Sequence, residues 1–138
     1  MTAAIEADAW VVTELGDPTA VLARRTVQVR APEANEVRVR VDAFSLNLND
    51  IDIIRGRYTT LPLEPPFTPG MESVGVVESA GAGAEHLVGQ RIVGIPVLAH
   101  GGYAEYAVVD AATALELPTA LPDSHGAGLH YPFHLGWF

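Results

Sequence analysis

Three groups of residues in this sequence could do chemistry: histidines near the C-terminus, a short glycine pair, and a run of amides and carboxylates with a tyrosine behind it. His130 and His134 stand four apart, the spacing at which two imidazoles share a helix face and can hold a metal. Where the His-Glu-x-x-His pattern has its catalytic glutamate this chain has Tyr131, and Pro132 disturbs an uninterrupted helix. Without a third ligand, His125, His130 and His134 are expected to pack or to face solvent. Gly81-Ala-Gly83 has the opening of a dinucleotide fingerprint, but His86 stands where the third glycine belongs and no helix is predicted to follow. The pair reads as a turn, which leaves the chain no recognisable site for a nucleotide pyrophosphate. Asn47, Asp50 and Tyr58 remain. Asn47 or Asn49 can cap a helix that starts there, Asp50 in its first turn complements the helix dipole, and Tyr58 can cap a loop. Glu72 is expected to bond backbone amides near its own turn.

The elements that must position these groups centre on Phe67 to Gly83. Pro69 fixes its own φ and Gly70 accepts a φ that a β-carbon forbids, so the pair predicts a tight turn. A strand follows through Val74, Val76 and Val77, and Gly75 inside it predicts another backbone or a ligand close by. Further strands are expected at Ala9 to Thr13, Ala23 to Arg30, Ile92 to Val97 and Tyr103 to Val109. Val37, Val39 and Val41 alternate with Arg38, Arg40 and Asp42, the pattern of a strand with one buried face. Leu48, Ile51 and Ile54 fall at helical spacing, which predicts one or two turns ended by Gly56. Pro62, Pro65, Pro66 and Pro69 make Thr59 to Pro69 an exposed loop. Asp123 or Ser124 is the expected N-cap of a last segment. The fold class is mainly β with short helices, a mostly antiparallel and partly open barrel.

Composition narrows the function. A chain of 138 residues is one ordinary domain, long enough for a core and too short for two full ones. No apolar run nears eighteen residues and the first nine residues lack a basic segment before an apolar core, so neither a membrane partner nor a secretory leader is expected. A net charge of −9 disfavours nucleic acid. The absence of cysteine removes disulfides, thiolate catalysis and cysteine-ligated zinc, and is compatible with a cytoplasmic protein.

Pro69-Gly-x-Glu-x-x-Gly-x-Val77, Gly81-x-Gly83 and Val88-Gly-Gln-Arg-Ile-Val-Gly94 stand together with Asn47-Leu-Asn-Asp50, Arg55-Gly-Arg-Tyr58, Gly101-Gly-Tyr-Ala-Glu-Tyr-Ala107 and Leu121-Pro-Asp123. In this order they resemble the N-terminal, GroES-like domain of the medium-chain dehydrogenase/reductase superfamily, and within it the zinc-free quinone oxidoreductase branch. The resemblance implies a partly open GroES-like barrel over residues 1–123, with 124–138 starting the connection to a nucleotide-binding Rossmann domain that is missing here. It also implies an NADPH-dependent reductase whose substrate is a quinone or another α,β-unsaturated carbonyl. Zinc-dependent members place a cysteine at the position of Asn47 and a histidine at that of Met71, so no metal is expected. By the same resemblance Asn47 faces the nicotinamide and the substrate, Tyr58 lies beside it, and Asp50 matches an acidic position. Without the second domain the chain is expected neither to hold NADPH tightly nor to reduce quinones. The apolar segment 127–138, which packs against that domain in the family, is expected to fold back on the barrel, pair with a second copy or be disordered, with self-association the favoured outcome. A stand-alone GroES-like binding or structural module is the alternative.

Overall fold

The computed structural model describes residues 3–137, without the side chains of His134, Leu135 and Trp137. Expectations that involve those side chains or Phe138 lie outside the described residues. In chain order the elements are β1 (Ile5–Val12), α1 (Pro18–Val21), β2 (Leu22–Val29), β3 (Glu36–Ala43), α2 (Leu48–Ile54), β4 (Ser73–Ala80), β5 (Arg91–Gly94), β6 (Tyr106–Asp110), β7 (Leu115–Glu116), α3 (Asp123–Gly126) and α4 (Tyr131–Trp137). Every strand pairing is antiparallel: β1 and β2 form one sheet, and the other runs β6-β3-β4-β5-β7. Single bridges tie β1 to segments outside the strands, Ala9 to Ala104 and Val12 to Phe67, and the described residues form no closed barrel. No helix among them is long and apolar enough to cross a membrane.

β1 begins four residues before the expected start because Ala7, Ala9 and Val11 alternate inwards while Ile5 to Val12 pair in full register with β2. The β5 and β6 strands are shorter than expected, since Pro96 has no N–H to give a ladder and Tyr103 is spent on the turn at Gly70. β3 departs from strict alternation: Arg38 is as buried as its valine neighbours. A register shift between Arg38 and Val39 turns it inwards, where Nε donates to Glu78 Oε2 (2.9 Å) and Nη1 to the Ala3 carbonyl (2.7 Å). Val37, Val39, Val77, Ile92 and Val109 pack beneath it.

The turn at Pro69-Gly70 forms as the sequence predicts. Gly70 has φ +108°, and a β-carbon there would lie 2.7 Å from the Tyr103 amide nitrogen, a contact no side chain accepts. The closeness lets Tyr103 N–H donate to the Pro69 carbonyl (2.9 Å), which brings the Tyr103 ring beneath α2. Gly75 answers the expectation of a passing backbone, because a β-carbon on it would meet the Arg40 carbonyl oxygen at 1.9 Å. The proline-rich stretch has no regular structure, but only its first part is exposed. Phe67 pairs with Val12 and joins Val21, Ile53, Ile54 and Met71 in a second apolar cluster.

Candidate functional site

Four residues separate the end of β3 from α2, and they deliver Ser45 and Asn47 to the mouth of that helix. Asn47 is the N-cap residue. Its backbone N–H donates to Asp50 Oδ2 (2.9 Å), the reciprocal half of a capping box, and this bond turns Asp50 inwards. The buried face of α2 is therefore Asp50, Ile53 and Ile54, whereas the spacing of Leu48, Ile51 and Ile54 predicts a different one; Leu48 is 72% exposed. Gly56, at φ +68°, follows the helix as expected.

A polar network runs from this point through the interior. Asn47 Nδ2 donates to Ser45 Oγ (2.9 Å), and Ser45 Oγ donates to Glu72 Oε1. Glu72 Oε2 accepts the backbone N–H of Tyr131 at the start of α4 (2.9 Å). Glu72 therefore does not serve its own turn: fully buried, it holds two distant segments. On the other face of α2, Asn49 Nδ2 donates to the Tyr131 hydroxyl (2.6 Å) and, at 3.5 Å, to that of Tyr58. Asp50 Oδ2 also accepts the Tyr103 hydroxyl (3.0 Å), and the Tyr103 ring stacks on Phe44 with centroids 4.5 Å apart.

Burial raises the Asp50 carboxyl above the usual aspartate range, opposed by the hydrogen bonds from the Asn47 amide and the Tyr103 hydroxyl. Tyr103 is pushed well above the tyrosine range by burial and then by the charge on Asp50. Tyr131 is raised as well, first by burial and then by Tyr58 beside it. Asn47, Asn49, Tyr58 and Tyr131 are half-buried. Leu46 and Leu48 on either side of Asn47 are 77% and 72% exposed, and Phe133, two residues beyond Tyr131, is 69% exposed.

The other candidates resolve differently. His130 is buried and its Nε2 lies 2.8 Å from the Thr113 carbonyl, a packed histidine, while His125 is exposed. Asp123 lies inside α3, whose N-cap is Pro122 in an extended conformation, and its carboxylate accepts from Arg91 Nε (2.7 Å). No group of three or more His, Asp or Glu among the described residues could hold a metal ion. Met71 is sealed in the apolar cluster with Ile53 and Phe67. A buried thioether and a bonded amide are a poor donor set for zinc. The glycine pair also fails as a phosphate cradle: the Gly83 N–H is taken by Glu85 Oε2 (2.8 Å), and a 3-10 turn, Glu85–Leu87, follows. A carboxylate already fills the place a pyrophosphate would need.

The profile of the alcohol dehydrogenase GroES-like domain matches residues 33–119. The chain belongs to that family. As a GroES-like domain it is 33% identical to human quinone oxidoreductase over 123 residues, 88% of this chain and 37% of that protein. It is 37% identical to mouse prostaglandin reductase-3 over 106 residues, 75% of this chain and 27% of the other. Among solved structures, the quinone oxidoreductase from Thermus thermophilus, also solved in complex with NADPH, superposes with a TM-score of 0.71 at 35% identity, over 94% of this chain and 39% of that one. The GroES-like domain thus spans little more than a third of the length of the quinone oxidoreductases it matches.

Proposed function

We propose that this GroES-like domain is the substrate side of an NADPH-dependent, zinc-independent reductase of quinones and conjugated enones, working with a nucleotide-binding unit. The observation that carries the reading is the amide and phenol cluster of Asn47, Asn49, Tyr58 and Tyr131, half-buried, with exposed Leu46, Leu48 and Phe133 adjacent in sequence. Flat, largely apolar substrates with one or two carbonyl oxygens suit such a surface. Bound NADPH supplies a hydride, and one further proton from water completes the two-electron reduction of a quinone to a hydroquinone, or of an enone across its carbon–carbon double bond. The residues of this chain orient the substrate and stabilise its oxygen. Asn47 on the nicotinamide side and Tyr58 next to it donate hydrogen bonds as negative charge builds on that oxygen, the role zinc takes where its ligands exist. Asp50 acts through Asn47, whose backbone it fixes. In this reading residues 1–123 are the catalytic domain and 124–138 the connection to the nucleotide-binding unit, the only source of a pyrophosphate site.

Fusing the chain to the nucleotide-binding part of the Thermus thermophilus relative tests the proposal, with NADPH oxidation followed in the presence of a quinone. The fusion is expected to turn over while the chain alone does not, and Asn47→Ala or Tyr58→Phe is expected to cost on the order of 10²-fold in rate for one lost oxyanion donor. A folded fusion in which both variants keep the full rate would refute these site roles.

A further inference from the structure

Tyr131 and Asn49 stand 82 residues apart in sequence yet meet at 2.6 Å, and neither is needed for the roles given to Asn47 and Tyr58 above. An amide nitrogen only donates, so the contacts from Asn49 Nδ2 leave both phenol oxygens as acceptors. Each phenol then has a hydroxyl proton still to place. No carboxylate or backbone carbonyl among the described residues takes the hydroxyl proton of Tyr58 or Tyr131. The Tyr58 hydroxyl lies close enough to Tyr131 to raise it. Both protons can point out of the protein. The cluster therefore offers a donor in excess, and a group that only accepts satisfies it better than one that must also donate.

Tyr131 is also held more firmly than its half-exposed position requires. Its backbone N–H is fixed by buried Glu72, its hydroxyl by Asn49, and its ring packs on the cluster of Val12, Ile53, Ile54 and Phe67. Side chains secured at both ends give precise hydrogen bonds at little entropic cost. A tyrosine hydroxyl is protonated at neutral pH, and burial only raises it further, so it remains a donor.

We infer that Tyr131, oriented by Asn49 and paired with Tyr58, binds the carbonyl oxygen of a conjugated substrate and selects carbonyl compounds over alcohols. This rests on the reductase reading for the substrate class. The donor excess itself does not depend on it.

The test is calorimetric or NMR titration of the full chain with 1,4-naphthoquinone, 1-naphthol, naphthalene and 4-nitrophenolate. The chain contains neither lysine nor cysteine, so the quinone is not lost by addition to those side chains. Naphthoquinone is expected to bind more tightly than naphthol. Tyr131→Phe and Asn49→Ala are each expected to weaken naphthoquinone about tenfold, the worth of one good hydrogen bond, and to leave naphthalene unchanged. A chain that binds naphthoquinone equally well with and without the Tyr131 hydroxyl overturns the inference and leaves the quinone reading standing. A chain that ignores naphthoquinone but binds 4-nitrophenolate in a Tyr131-dependent way keeps the donor site and removes the quinone reading. Binding of none of the oxygen-bearing probes overturns the inference outright.

Discussion

Replacing Glu72 with alanine removes the side chain that ties α4 to the β3–α2 connection. In the native chain its two oxygens accept from Ser45 Oγ and from the Tyr131 amide, and it is wholly buried. Truncation orphans both donors and leaves a cavity. A buried donor without a partner costs about 1–3 kcal/mol, and the Tyr131 amide, only part-buried, recovers some of that from water. A total of about 2–4 kcal/mol follows, a large share of the roughly 5–15 kcal/mol typical of domains. Glu72→Gln keeps the volume but sets an NH2 group against one of the two donors, so it is expected to lose about 1–2 kcal/mol. Urea denaturation followed by far-UV circular dichroism gives the totals, and amide exchange at Tyr131 locates them. In Glu72→Ala that amide is expected to exchange faster by more than the global loss explains. An unchanged urea midpoint, or Tyr131 exchange that tracks only global unfolding, would refute the account of Glu72 as the anchor of α4.

The raised pKa of Asp50 gives a pH signature. The folded chain holds this proton to higher pH than the unfolded chain, so the stability linked to it is full below the ordinary value of 3.8 and is lost as pH rises through the raised value. Asp50→Asn cannot titrate, and its stability relative to the native chain is expected to improve as pH rises across that window; a flat difference would contradict the assignment. Exposed Phe133 is expected to join copies of the chain, and Phe133→Ser is expected to shift light scattering towards the monomer. Equal masses for the two proteins would remove that surface as an interface.

The fold is legible where one local signal decides the backbone. The turn at Gly70 and the close approach at Gly75 each follow from a single residue type at a fixed place, and the cap of α2 falls on Asn47, one of the two asparagines the sequence offers for it. Local pattern misleads where a distant partner decides. Arg38 is buried because Glu78 and the Ala3 carbonyl wait for its guanidinium, and Asp50 is buried because Tyr103 and the Asn47 amide reward it. The site divides in the same way. Asn47, Asp50 and Tyr58 sit in one short stretch and can be picked out together. Glu72, Tyr103 and Tyr131 join the network only through contacts spanning 27 to 82 residues, and Tyr131 in particular gives no sign in sequence of its tie to Asn49. A carboxylate inside the apolar run Met71 to Val77 is the one clue to the network, since a buried Glu72 must find donors somewhere.

The two-stranded sheet leaves β2 with one neighbour, β1, and an open side. Such an edge offers unpaired N–H and C=O groups to any extended chain and is where soluble β proteins begin to aggregate. This edge carries its own deterrent. Arg24, Arg25 and Thr26 stand exposed at its centre, and Arg24 is drawn back across the sheet to Asp8 (2.6 Å) so that its charge stays over the hairpin. A second copy adding to β2 in full antiparallel register would set Arg24 against Val27 and Arg25 against Thr26, crowding the arginine pairs of the two copies together. The edge through which the chain could add a strand is thus guarded by charge, while exposed apolar groups that invite a specific contact lie elsewhere, at Leu46, Leu48 and Phe133.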